Sequence, residues 1–151
     1  MTSIKSLLAA LFLFTSSQVF AVDKDINDND VILAGYDAVA YFTLDKAVLG
    51  KANITAVYDG AIYRFSHHKH RDMFKQNPAK YAPQFGGFCA YGMTFGKKFN
   101  VDGKAFKIVD GKLYVNKNLE VYQAWSKDIP LHIKQANQQW PKVKNIAAKE
   151  L

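Results

Sequence analysis

Cys89 and Met93 place two soft sulfur donors four residues apart, in the run Gly86-Gly87-Phe88-Cys89-Ala90-Tyr91-Gly92-Met93. A thiolate with a thioether suits Cu(I), and imidazole suits copper, zinc or nickel. Nitrogen is available upstream from His67, His68 and His70. On a helix His67 and His70 share a face, whereas His68 points elsewhere. The candidate metal ligands are therefore Cys89, Met93, His70 and His67, and the candidate cofactor is copper. The same histidines, beside Lys69 and Arg71, also read as the solvated first turn of an exposed helix.

Cys89 is the only cysteine in the chain. Three fates stay open for it: a small buried hydrophobe between Phe88 and Tyr91, an intermolecular disulfide, or a ligand or reactive thiol. The flanking glycines favour unusual backbone or a close approach to something. Tyr36-Asp37 is the other polar pair. Asp37 can bond local amides as an Asx turn, or it can join Tyr36, Tyr91 and Cys89 in a ligand pocket. A cysteine nucleophile needs a base and an orienting group, and no histidine sits in a catalytic signature. Paired carboxylates, a Gly-x-Ser-x-Gly elbow and a phosphate loop are also missing from the sequence, so catalysis is not expected.

The elements that must position these residues announce themselves through turns. Asp59-Gly60 and Asp110-Gly111 favour type I′ hairpins, pairing 54–58 with 61–65 and 107–109 with 112–115. Ser66 is the expected N-cap of a helix over 67–76, and Asn116 or Asn118 of one over 119–126. Pro78 opens a short helix to Tyr81, and Asp128-Ile129-Pro130 precedes a helix over 131–140. Shifted by 51 positions, Tyr58-Asp59-Gly60-Ala61-Ile62-Tyr63 falls on Val109-Asp110-Gly111-Lys112-Leu113-Tyr114. That suggests a repeated hairpin–helix unit. The fold class is α+β: a small single domain with two β-hairpins forming antiparallel sheet covered by short helices.

Residues 1–21 have the layout of a signal peptide: Lys5, an apolar run over 7–14, and Val19-Phe20-Ala21 before cleavage after Ala21. An exported protein, periplasmic or secreted, is expected. The apolar run is too short to span a bilayer, and no second one follows. Residues 22–31, rich in Asn and Asp, read as a flexible leader, 32–141 as the domain and 142–151 as a tail. The formal net charge is +7, but the lysines are scattered and not interleaved with stacking aromatics, which argues against nucleic acid. Aromatics make up 14% of the chain, enough for a core without disulfides.

Tyr58-x-Gly60-x-x-Tyr63-x-Phe65, Phe74 and Asn77-Pro78-x-x-Tyr81 together resemble the YHS domain. Gly35-Tyr36-Asp37-x-Val39-Ala40-Tyr41-Phe42 and the Cys89 segment resemble its exported single-domain subgroup. The resemblance covers about residues 32–141. It implies metal binding by cysteines, which in copper-transporter relatives would fall at Ala40, Ser66 and His70 here. Of these only His70 is a good ligand, so a metal site would have to be anchored at Cys89. Two functions follow as expectations. One is soft-metal (copper) binding or homeostasis through Cys89 with Met93 or a histidine. The other is a non-catalytic module that binds a small molecule or a protein in an apolar aromatic pocket.

Overall fold

Both Asp-Gly pairs adopt positive φ, 49° and 78° at Asp59-Gly60 and 49° and 72° at Asp110-Gly111. That backbone matches the twist of the flanking strands. The first turn joins β1 (Lys51–Tyr58) to β2 (Ala61–Phe65), and the second joins β3 (Asp102–Val109) to β4 (Lys112–Asn116). Each hairpin is a two-stranded antiparallel sheet of its own. The computed structural model, which describes residues 21–27 and 30–151, thus has the expected α+β architecture. β1 and β3 begin earlier than the sequence predicts. Their first residues pair across a register irregularity, between Lys51 and Thr55 and between Asp102 and Phe106, which alternation cannot reveal.

Among the described residues, six α-helices cover the hairpins: α1 (Ala38–Thr43), α2 (His68–Gln76), α3 (Pro78–Tyr81), α4 (Ala90–Met93), α5 (Leu119–Trp125) and α6 (Ile129–Val143). Asn118 caps α5 by accepting the Val121 amide at 2.8 Å, and Asp128 caps α6 through the Leu131 amide at 3.1 Å. Ser66 does not cap α2. The N-cap is His67, without a side-chain bond, because the Ser66 hydroxyl donates to Asp37 instead. One core gathers Ile32, Leu33, Val39, Tyr41, Phe65 and Phe74. A second gathers Phe85, Met93, Tyr114, Trp125 and Ala136.

The two halves repeat more fully than the hairpins suggest. Positive-φ residues Leu33, Ala34 and Gly35 precede α1, and Phe85, Gly86 and Gly87 stand in the same place before α4. Gly35-Tyr36-Asp37-Ala38 therefore matches Gly87-Phe88-Cys89-Ala90. Parallel bridges Val31–Ile62 and Pro83–Leu113 occupy corresponding places. Asp37 and Cys89 are structural counterparts, each capping the short helix that follows it.

The expected signal peptide lies outside the described residues except for Ala21. The leader expected to be flexible is instead a strap where it is described. Asp23 donates its amide to the Lys144 carbonyl at 2.7 Å, and Asp25 donates to Gly86 at 2.9 Å. Their carboxylates accept amides from Ala148 and Val101, both at 3.1 Å. Composition misleads here because carboxylates that suit a solvated chain also suit orphaned backbone amides. The expected tail is likewise structured: α6 runs to Val143, and a 3-10 turn spans Ala148–Glu150.

Burial raises the Asp25 carboxyl from its ordinary 3.8 to about 6, with the Val101 amide opposing and the Asp23 charge adding. A raised carboxyl pKa means the folded chain holds a proton that the unfolded chain has lost. Its stabilisation is full below 3.8 and disappears as pH rises through about 6. Asp25→Asn keeps an acceptor for Val101 but cannot ionise. In thermal melts, the wild type should lose stability relative to Asp25→Asn across that window and run parallel to it above. Parallel curves throughout would show that Asp25 does not titrate there.

Candidate functional site

Asp37 begins as a local cap. Its Oδ1 accepts the amides of Val39 at 3.0 Å and Ala40 at 3.2 Å, as an Asx turn does. Oδ2 reaches much further along the chain. It accepts the Ser66 amide at 2.8 Å and the Ser66 hydroxyl at 2.6 Å, and lies 2.7 Å from His70 Nδ1. His70 Nε2 lies 3.4 Å from Thr43 Oγ1, and the His67 ring lies 3.9 Å from that of His70. Asp37 and His70 are both buried. The three positions that the YHS resemblance assigns to cysteines, Ala40, Ser66 and His70, thus meet on one carboxylate. Here that carboxylate is filled by protein donors. The Ser66 hydroxyl faces the acid and not the outer imidazole nitrogen. Thr43 Oγ1, His70 and Asp37 do stand in hydroxyl–imidazole–carboxylate order, but the Thr43 hydroxyl donates to the Val39 carbonyl at 3.0 Å and not to the ring.

Cys89 does the corresponding work in the second half. Its sulfur accepts the Gly92 amide at 3.4 Å and the Lys117 amide at 3.3 Å. Lys117 follows β4 as Ser66 follows β2. Asn116 Oδ1 lies 3.6 Å from the sulfur and accepts the Tyr91 amide at 3.1 Å. Burial pushes the thiol pKa up, against the pull of the Gly92, Lys117 and Tyr91 amides and the Lys117 charge. A free, buried thiol with a raised pKa is a poor nucleophile at neutral pH.

Where His70 fills the space beyond Asp37, its counterpart Val121 leaves a cleft beside Cys89. The cleft measures about 250 Å³ and is lined by Cys89, Tyr91, Phe95, Phe99, Lys117 and Val121. Phe95 is 66% exposed and Phe99 44%. Phe99 is brought there by a bond from the Cys89 amide to its carbonyl at 3.0 Å. A Cβ at Gly92 would stand 2.5 Å from the Phe99 ring, so only glycine lets that ring close over the turn.

The expected site residues are therefore divided. Cys89 and Tyr91 share the cleft, whereas Met93 packs in the second core. His67 and His70 stand with Asp37 in the first half. Tyr36 lies against Gly103, where a Cβ would meet its ring at 2.2 Å. Among the described residues, no three His, Cys, Asp or Glu side chains are grouped so as to hold a metal ion. Sequence reasoning missed Phe95, Phe99, Lys117 and Val121. The available signal was a pair of phenylalanines in the glycine- and lysine-rich segment just after Cys89.

Among the described residues, no helix is long and apolar enough to cross a membrane. No protein-family model, curated protein or solved structure matches the chain.

Proposed function

We propose that the protein is a non-catalytic binding module that takes a small apolar ligand in the Cys89 cleft. The observation that carries this reading is the exposure of Phe95 and Phe99 around a concave floor whose thiol is buried. Apolar area removed from water there is worth about 25 cal/mol per Å², and Lys117 at the rim favours a ligand with an anionic group. The layout of residues 1–21 supports a role outside the cytoplasm, and the YHS likeness rests on the sequence motifs. The soft-metal reading draws less support. It keeps Cys89 as a donor, but Met93 packs in the core and the histidines in the other half.

Fluorescence titration with 8-anilinonaphthalene-1-sulfonate separates the two. Binding should persist in Cys89→Ser, ignore a chelator, and weaken about tenfold, or 1.4 kcal/mol, in Phe95→Ala/Phe99→Ala. Equal affinity in that double variant would remove the cleft reading. A chelator-sensitive Cu(I) affinity lost in Cys89→Ser would restore the metal reading.

A further inference from the structure

A second cavity, which shares no lining residue with the Cys89 cleft, lies on the seam between the two cores. It measures about 280 Å³ and is walled by Tyr58, Tyr63, Phe85 and Trp140, with Lys24 and Gln84 also lining it. Ile32 and Tyr63 come from the first core, and Phe85 and Trp140 pack on the second. Strap residues Val22 and Lys24 form part of the lining. Gly86 makes this closure workable: a Cβ there would stand 2.5 Å from the Asp23 carbonyl and 3.2 Å from Trp140.

One wall residue indicates what the cavity takes. Tyr63 is only 2% exposed and lines the cavity, and its hydroxyl makes no hydrogen bond among the described residues. Yet it is not one of the buried unpaired polar atoms, which among those residues are Asn116 Nδ2 and Trp125 Nε1, so the hydroxyl tip meets solvent. A hydroxyl on the cavity wall that has no protein partner is free to donate to an occupant carrying an acceptor. Burial, with the nearby Tyr58 and the Asp59 charge, pushes the Tyr63 pKa up, which keeps the hydroxyl a donor. The Lys24 ammonium is already committed, to Asp59 at 3.0 Å and the Val22 carbonyl at 3.2 Å. The lining therefore offers no spare charge.

Size narrows the class. A dry cavity of about 150 Å³ holds benzene, so this one has room for a ring with a polar substituent or for two fused rings. Aromatic walls favour a flat occupant, in offset or edge-to-face contact. We infer that the seam cavity is a second binding site, for a small uncharged aromatic molecule whose carbonyl-type acceptor meets the Tyr63 hydroxyl.

The full chain, labelled with ¹⁵N, tests this by titration with benzamide, toluene and benzoate. Benzamide should shift the Gln84, Phe85 and Gly86 amides saturably. Tyr63→Phe should weaken benzamide about tenfold while leaving toluene unchanged. That variant removes only an unpartnered hydroxyl, so its melting temperature should match the wild type. Trp140→Leu, as a second variant, should weaken both ligands. No saturable shift below about 10 mM would mean the cavity holds only water and overturn the inference. So would equal benzamide affinity in Tyr63→Phe, or benzoate binding more tightly than benzamide. Shifts confined to Tyr91 and Phe95 would overturn it too, while leaving the Cys89 cleft intact.

Discussion

Asp37→Ala should destabilise the protein by about 3–5 kcal/mol, against a total of about 5–15 kcal/mol for an ordinary domain. The residue is buried completely, and its two oxygens serve the amides of Val39, Ala40 and Ser66, the Ser66 hydroxyl and His70 Nδ1. Alanine removes this acceptor from all of them. The Ala40 amide keeps the Asp37 carbonyl at 3.2 Å and Ser66 Oγ keeps His70 Nδ1 at 3.5 Å, while each buried donor left stranded costs about 1–3 kcal/mol before relaxation. Asp37→Asn is the milder control. It keeps the α1 cap through Oδ1 but turns a donor toward Ser66 and His70, and the Ser66 hydroxyl can reverse to accept it. Urea unfolding should place Asn between wild type and Ala. A loss below about 1 kcal/mol for Ala, with an unchanged m-value, would show that the network contributes little.

Lys98→Met should cost about 3 kcal/mol and release the strap. The Lys98 side chain is fully buried, and its ammonium bonds Asp23 at 3.0 Å and the carbonyls of Lys144 and Ile146. The rings of Phe88 and Trp140 lie 5.1 Å and 5.6 Å from it. Methionine keeps the stem packed yet leaves the Asp23 carboxylate with only the Ala148 amide, the Lys144 carbonyl with only the Asp23 amide, and the Ile146 carbonyl without its ammonium. Loss of protection should concentrate at the Asp23 and Asp25 amides in native-state hydrogen exchange, with the α2 amides little changed. Uniform loss across both halves would mean that Lys98 supports the whole core and not the strap.

What the sequence made legible is local chemistry. The Asp-Gly turns need two successive positive φ values, and few other pairs supply them cheaply, so β2 and the start of β4 fall where expected. The Asn118 cap and the Pro78 start belong to the same class. Short α1 and α4 were not legible, because six and four residues carry too little periodicity to be read. Asp37 shows where the boundary lies. Its Asx turn was readable, but Oδ2 collects partners 29 and 33 positions away. Ser66 looked like a cap for the same reason: the carboxylate that takes its hydroxyl, Asp37, lies 29 positions earlier at the start of α1. The cleft at Cys89 was half visible. The cysteine marked the place, but Phe99 and Val121 reach it through tertiary contacts, and the histidines that seemed to complete it belong to its counterpart around Asp37.

The strap also orders events in time. Its ties to Lys98 and Ala148 span 75 and 125 positions, whereas each hairpin closes across two residues. Long closures cost more chain entropy and are reached late. The hairpins with their helices can therefore assemble before the strap docks. Contacts made after the rate-limiting step act on how long the native state lasts and hardly on how fast it forms. Substitution of Lys98 should accordingly appear as faster unfolding at nearly unchanged refolding, making the strap a determinant of the native lifetime.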